Sequence, residues 1–438
     1  MSQTGPPSAD RPAVVAPPLE TVFTWGAPPI KFGAGALDEV GADVAAMGLR
    51  RVAIVTDRGV LATGLVARVE RSLTAAGVES VCFADVHVEP TDASVEMAAA
   101  WAREAAVDGF VAVGGGSAID TAKAMNLLST NEGTVLTYLN PPIGEGRAPT
   151  RPLKPLIAVP TTAGTGSEST AVCVVDVLAL RVKTGMGNPA LRPRLAIVDP
   201  STTLTLTPEV TASSGMDILC HALESYTAIP FDGRPRHVPG MPRPVYNGSN
   251  PISDLWATRA LELLGQWFRR AVNDPDDVAA RDGMMQAATY AGIGFGNAGV
   301  HVPHACGYPI AGMVRSYRPA GYDVDHAMVP HGQSVVATAP AVFRFTYPAC
   351  PGRHDAAARL LTVDQSLGSG PEALPDAIVA LCRDVRIPNG LTAFGYGAAD
   401  VPGLVAGAAR QQRILAISPR PVTEDDLAAI FRSSLTNW

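Results

Sequence analysis

The chain has 438 residues, a net charge of −7 and 47% hydrophobic residues, so it is too long for one ordinary domain and has ample material for large cores. Its 42 Gly and 38 Pro are scattered, which excludes collagen-like and disordered chains. No dense Lys/Arg cluster offers a footprint for nucleic acid, and apolar runs such as Ala171–Leu180 are interrupted (here by Asp176) and fall well short of the roughly 20 residues that span a membrane.

Six cysteines, at 82, 173, 220, 306, 350 and 382, form no C-x-x-C pair. They read as free thiols rather than as a disulfide framework or a cysteine zinc site. The start, Met1–Pro18, is rich in Pro, Ser and Ala. It has neither the apolar segment of a secretory signal nor the Arg-richness of a transit peptide. The expectation is a disordered tail over residues 1–20 of a cytoplasmic protein.

From about residue 50, short apolar runs alternate with helical spacing. Strands are predicted at Arg51–Thr56, Val81–Ala84, Phe110–Val113, Leu156–Val159, Val172–Val175 and Leu195–Val198. Helices are predicted at Gly59–Ala76, at Ala93–Val107 and from Ser117 to about Leu128. Such alternation with near-continuous apolar strands predicts a parallel sheet covered on both faces, ending near Thr205. Thr207-Pro208-Glu209 then looks like a helix start, with Thr as N-cap and Pro at the first helical position. Helical patterns dominate from there: Ala212–Tyr226, Ile252–Ala271, Asp277–Ala291, Gln333–Phe343, Leu374–Val385 and Thr423–Arg432. The exception is Ile229–Pro251, a long Pro/Gly/Asn segment carrying Arg234, Arg236, His237 and Arg243. A loop that long in a compact domain is usually functional or disordered.

Two loops follow strands and are built for an anion. Gly114-Gly115-Gly116-Ser117 leaves the third strand and opens a helix, where backbone N–H groups and the helix dipole favour phosphate. Pro160–Glu168 follows the next strand and is dense in hydroxyls and glycine. Two such loops at one sheet edge suit a dinucleotide better than chance turns. Asp57, at the end of the first strand, can accept an adenosine ribose 2′-hydroxyl and would repel a 2′-phosphate, which favours NAD over NADP. A lone Asp there is also a common turn residue. The G-x-G-x-x-G fingerprint is absent, since Gly33-Ala34-Gly35 lacks the third glycine.

Asp217 and His221, four apart on a helical stretch, share one face. Residues 301–331 hold four of the eight histidines: His301, His304, His326 and His331. Imidazole and carboxylate together suit Fe(II), Zn(II) or a related divalent ion, although any one of these histidines taken alone reads better as a core residue.

On these pieces (Gly114–Ser117 with Asp120, Pro160–Glu168, Gly215-Met216-Asp217 to Glu224, and the surroundings of His304 and of Pro330-His331-Gly332) the sequence resembles the iron-containing, group III alcohol dehydrogenases. The resemblance implies an α/β domain with a parallel sheet (21–206, the dehydroquinate synthase-like fold) plus an all-α domain (207–438). It implies metal ligation by Asp217, His221, His304 and His331. It implies NAD contacts from Asp57, Gly114, Gly115, Gly116, Ser117, Asp120, Thr161, Thr162, Thr165, Ser167 and Lys183, and a homo-oligomer. Family members often carry a histidine four residues after the third ligand, where Tyr308 stands here. That departure, together with His301, the Arg243–Asp254 segment and the Val324–His331 segment, resembles the hydroxyacid–oxoacid transhydrogenase subfamily. The expected reaction passes hydride from a hydroxyacid such as 4-hydroxybutyrate to an oxoacid such as 2-oxoglutarate through bound NAD. Tyr308 or His301 is expected as the first stop for the proton, Arg243, Arg259 and Arg315 are candidates to meet a substrate carboxylate, and the resemblance makes the Ile229–Pro251 loop a candidate cover for the active site. The alternatives are a conventional NAD-dependent alcohol dehydrogenase and a metal- and nucleotide-binding protein without catalysis.

Overall fold

The structure is a computed structural model that describes residues 18–438 except Arg181, Pro242, Asp323 and residues 363–367. The expected tail lies outside the described residues as far as position 17. Its last members do not behave as a tail: Leu19 pairs with Pro235, and Glu20 is buried at 8% exposure.

Eight strands are present among the described residues: β1 Ile30–Phe32, β2 Arg51–Val55, β3 Glu79–Phe83, β4 Gly109–Gly114, β5 Leu156–Pro160, β6 Val172–Val177, β7 Val182–Gly187 and β8 Leu195–Val198. Six of them form one parallel sheet in the order β1-β8-β5-β4-β2-β3. The central strands β4 and β5 are buried at every position, which is why they read as unbroken apolar runs. From β2 the chain steps outward to β3, then returns to the other side of β2 as β4. The reversal opens a crevice at the carboxyl ends of β2 and β4, where open parallel sheets bind ligands. Asp57 and the glycine loop therefore share that edge.

Two features depart from the expected strand pattern. The three-residue edge strand β1 is too short to show a period. The run at Val172 does not join the main sheet. It pairs with β7 as an antiparallel hairpin, with Asp176 opposite Lys183. The short connection from Val177 to Val182 can only turn back on itself, whereas a parallel neighbour needs a crossover of a dozen or more residues.

From Pro208 onward the described chain is helical. The helices that build the site are α2 Pro208–Thr227, α3 Pro251–Asn273, α4 Val278–Ala298, α5 Val302–Gly312 and α6 His331–Val336; in the sheet half, α1 Gly116–Thr130 follows β4. The Thr207 hydroxyl caps α2 at the Val210 N–H, and Asn250 caps α3 at the Ser253 N–H, each with Pro at the helix start. The helix expected over Gln333–Phe343 is two helices, α6 and Ala339–Thr346. Pro340 has no N–H to continue the ladder and sits in the first turn of the second. All six cysteines are free. Among the described residues no helix is long and apolar enough to cross a membrane.

The Ile229–Pro251 loop is not a free lid. The Glu20 carboxylate accepts from the N–H groups of Thr21, Val22 and His237 and from the Arg243 guanidinium. These bonds staple the loop to residues 18–22, and among the segment's described residues only Tyr246 lines the cleft described below.

Two close approaches join the parts. Gly166 (φ +62°) touches Gly292 of α4; a Cβ on Gly166 would lie 2.5 Å from the Gly292 Cα. Gly332 of α6 presses on α2, where a Cβ would lie 1.9 Å from the Ser213 carbonyl oxygen and 2.9 Å from the Asp217 nitrogen. Both neighbours at Gly332 are backbone and cannot rotate away. Gly332→Ala is expected to destabilise the fold by about 1–3 kcal/mol through overpacking, seen as a lower thermal unfolding midpoint. An unchanged midpoint would show that α2 and α6 separate freely.

Candidate functional site

A cleft of about 970 Å³ runs between the sheet edge and the helices. At one end lie Asp57, Gly115, Gly116, Ser117, Asp120, Thr161, Thr162, Thr165, Ser167 and Lys183; at the other lie Asp217, His221, His304, Tyr308 and His331. Of the residues expected at a nucleotide, only Gly114 stays out of the wall. It closes β4 behind the loop, packed against Ala118 and near Asp57.

The sheet end presents the N-terminus of α1, capped by Gly115 without a side-chain acceptor, so its first N–H groups face the cleft. Asp57 has two uses. Its Oδ1 accepts from the Val60 N–H at 2.9 Å, capping the short helix Arg58–Ala62. The turn reading was therefore correct for one oxygen, and Oδ2 is left for a ligand. Asp120 Oδ2 accepts from the Val174 N–H, which ties β6 to α1. The Lys123 ammonium is fully buried and donates to the Ser167 and Val172 carbonyls and the Thr170 hydroxyl. It holds the hydroxyl-rich loop in place, with its pKa pushed down by burial while Asp120 opposes. Lys183 pairs with Glu89 across the cleft wall, and burial lowers its pKa to about 8 against the pull of Asp217.

At the helical end α2 presents Asp217 and His221, the start of α5 presents His304, and α6 presents His331 as its first residue. The Nε2 atoms of His221, His304 and His331 lie 3.6, 3.6 and 3.7 Å from Asp217 Oδ1. Asp217, His221 and His304 present ligand atoms that all lie within 4.8 Å of one another, close enough to share one ion, and His331 adds a fourth candidate through its contact with Asp217. Asp217 Oδ1 and Oδ2 and His304 Nε2 are buried without any hydrogen-bond partner. Buried atoms of that kind are expected to be paired or to coordinate a metal. The donors thus fit a divalent ion on the chain's own geometry.

Glu224, one turn beyond His221 on α2, was not singled out from the sequence. It is fully buried; its Oε1 lies 2.6 Å from His304 Nδ1, and its Oε2 accepts from the His301 N–H. The carboxylate fixes the ring so that Nε2 faces Asp217, the outer-shell arrangement typical of metal-bound histidine. Burial lowers the His304 pKa, but Glu224 and Asp217 outweigh it and raise it to about 9. His221 and His331 are lowered to about 3, by burial first and against Asp217. Phe295 stacks on His221 with ring centroids 3.8 Å apart, holding its plane. The spacing that reveals Glu224 is present in the sequence: it lies seven after Asp217 and three after His221, on the same helix face.

The proton-relay expectation divides. His301 is fully buried, outside the cleft wall, with Nε2 3.1 Å from the Thr227 hydroxyl. It cannot meet a substrate proton, and the reading is corrected: His301 is the residue before α5 whose N–H anchors Glu224. Tyr308 does line the cleft, its ring stacked 6.1 Å from that of His331. Burial pushes its phenol well up, so it keeps its proton. His326 lies at the cleft mouth, stacked on His87 and away from the Asp217 set. The candidate arginines are corrected too. Arg243 is held by Glu20, Arg259 by Glu262 and Arg315 by Asp400, and none reaches the cleft.

Glu224→Gln is expected to weaken divalent-metal binding by about 10–100-fold, measured by chelator competition. His304→Ala is expected to reduce metal content further, while His237→Ala leaves it intact. Full metal content in folded His304→Ala would remove His304 from the set.

Comparison with known proteins agrees with this geometry. Residues 27–200 match the model of the iron-containing alcohol dehydrogenase family, and residues 245–435 match the C-terminal domain of the same family. The chain is 46% identical over 419 residues to a Bos taurus protein named hydroxyacid-oxoacid transhydrogenase, mitochondrial, covering 94% of this chain and 90% of that one. A 1,3-propanediol oxidoreductase structure matches with TM-score 0.82 at 29% identity over 94% of this chain and all of the other. Sulfoacetaldehyde reductase from Bifidobacterium kashiwanohense, in complex with NAD+, matches with TM-score 0.78 at 28% identity over 95% and 99%. The cytoplasmic expectation is corrected by the bovine relative, a protein named as mitochondrial; the composition of Met1–Pro18 does not decide a compartment. The chain belongs to the iron-containing alcohol dehydrogenase family, and within it to the branch of the hydroxyacid–oxoacid transhydrogenases.

Proposed function

We propose that this protein is a hydroxyacid–oxoacid transhydrogenase that uses a tightly held NAD and one divalent ion, with Fe(II) the first candidate and Zn(II) the second. The observation that carries the reading is the convergence of three imidazole nitrogens on a donorless buried carboxylate, in the same cleft as an open helix N-terminus. The name of the bovine relative supports the choice of substrates.

In this reading Asp217, His221, His304 and His331 hold the ion. Asp57, Gly115, Gly116, Ser117, Asp120, Thr161, Thr162, Thr165, Ser167 and Lys183 hold the dinucleotide, with Gly114 shaping the loop behind them. When bound, the ion supplies Lewis acidity toward an alcohol or carbonyl oxygen and the nicotinamide supplies the hydride carrier. The chain's residues do the rest. Glu224 keeps His304 in the tautomer that presents Nε2. Asp57 Oδ2 selects a free ribose hydroxyl. Lys183 and the α1 N-terminus offset phosphate charge. Tyr308 keeps its phenolic proton and donates to a substrate oxygen. Phe295 and the buried faces of α2 and α4 exclude water. A homo-oligomer belongs to the same proposal and is checked by sedimentation.

Asp57→Asn keeps the cap at Val60 but removes the charge, so relative use of NADP should rise by at least about tenfold. An unchanged preference would show that Asp57 does not meet the ribose.

The main test follows the hydride. Deuterium from the carbinol carbon of 4-hydroxybutyrate should appear at C2 of the 2-hydroxyglutarate formed from 2-oxoglutarate, with ping-pong kinetics and without NADH accumulating. The solved relative named for 1,3-propanediol motivates the second reading, a conventional dehydrogenase. That reading wins if label transfer needs stoichiometric free NAD, or if simple primary alcohols react faster than hydroxyacids.

A further inference from the structure

A hydroxyacid or oxoacid brings a carboxylate into the cleft, and some cation has to meet it. The arginines flagged in the sequence are engaged elsewhere, as shown above. Of the cations in the cleft wall, Lys183 is paired with Glu89, and Arg58 is exposed at the mouth and paired with Asp85.

Arg413 differs from all of these. It is half-buried just behind the cleft wall, is paired with no carboxylate among the described residues, and hydrogen-bonds to the Tyr246 hydroxyl. Its guanidinium carbon lies 4.6 Å from the ring centroid of Tyr246. Its Nη2 is close to β7, 3.7 Å from where a Cβ on Gly185 would stand. The segment that carries it is anchored on both sides: the Gln411 amide donates to the Lys183 carbonyl at 3.1 Å, and the Ile417 carbonyl accepts from the Ile229 N–H at 2.9 Å. A guanidinium has five N–H donors, so the bond to one hydroxyl leaves others for a second acceptor.

Tyr246 connects this cation to the cleft. It is buried, yet it lines the cleft wall. Gly299 (φ +100°) makes room for it, since a Cβ there would lie 2.8 Å from the Tyr246 Cγ. Arg234 donates to the Tyr246 carbonyl at 2.7 Å and fixes the backbone. Arg413 acts electrostatically on both Tyr246 and Tyr308, and Tyr308 stacks on His331. His331, Tyr308, Tyr246 and Arg413 thus lead away from the Asp217 set in that order.

We infer that Arg413 and the hydroxyl of Tyr246 form a carboxylate-binding subsite that takes the distal carboxylate of the hydroxyacid or oxoacid substrate. The inference rests on the transhydrogenase reading. Tyr246 supplies the hydrogen bond at the cleft wall, and Arg413 supplies the charge behind it. Together they measure the separation between the reacting oxygen and the far end of the substrate.

The test compares the parent holoenzyme with Arg413→Gln, Arg413→Lys and Tyr246→Phe. Two quantities are read: the ratio of kcat/KM for 4-hydroxybutyrate to that for 1-butanol, and the calorimetric affinity for glutarate, an unreactive dicarboxylate. Loss of a hydrogen-bonded charge should cut the ratio and the glutarate affinity by about 10–100-fold in Arg413→Gln, chiefly through KM. Arg413→Lys should recover part of the loss, and Tyr246→Phe should lower both readings by a smaller factor. A folded Arg413→Gln with both readings unchanged overturns the subsite. If that variant does not fold, unchanged readings in Tyr246→Phe overturn it. A parent protein that shows no hydride exchange but binds glutarate in an Arg413-dependent way overturns the transhydrogenase reading and supports the subsite.

Discussion

A carboxylate that no donor reaches is the constraint on which the site depends. Asp217 is 2% exposed and neither oxygen accepts a hydrogen bond. An ionised group in that position costs several kcal/mol unless a compensating charge is present. Three imidazole nitrogens face it, and behind one of them stands a second buried carboxylate, Glu224. With the three imidazoles neutral, as ligation requires, the two carboxylates would carry two negative charges, which a divalent cation would balance. The helical half is arranged to keep this balance available. One long helix carries Asp217, His221 and Glu224, and a glycine at 332 lets α6 approach closely enough to bring His331 alongside.

The sheet half contributes a different kind of order. Its loops are held by bonds made inside the domain. Lys123 gathers three acceptors between Ser167 and Val172, and Asp120 fixes the hairpin through Val174. The hydroxyls facing the cleft are therefore set before any ligand arrives, which lowers the ordering cost of binding. Where the halves meet at Gly166 and Gly292, backbone lies against backbone. The loop that would cradle a phosphate and the helix that carries Phe295 share that contact. Phe295 in turn sets the plane of His221, so the two ends of the cleft are registered through α4.

The parts of this arrangement that were legible in the sequence are those written in local periods. Strand and helix alternation announces a parallel sheet, and a four-residue spacing puts Asp217 and His221 on one face. The run at Val172 was misplaced because an apolar run does not say which neighbour it pairs with; only the short return to Val182 does. His301 and His304 are equivalent by composition. They diverge because the chain enters α5 between them, turning one ring toward Thr227 and the other toward Asp217. Arg243 looked free because nothing local shows that Glu20, more than 200 residues earlier, holds it. Contacts of that separation leave no pattern in a single chain. The exception is Glu224, whose helical spacing from His221 was present and whose burial makes it a partner rather than a surface charge.

The donor set of three nitrogens, one oxygen and no sulfur has a consequence for metal identity. Cys220 adjoins His221 in sequence, but burial keeps its thiol protonated, and Cys306 is likewise buried near the site. Without thiolate the site does not favour soft ions, and the general order of affinities for nitrogen and oxygen donors places Zn(II) above Fe(II). Such a pocket does not choose iron by strength of binding. On the proposed ligand set, the occupant would follow the free concentrations of ions where the chain folds, so the same polypeptide made in compartments with different metal pools would carry different ions in an unchanged protein frame.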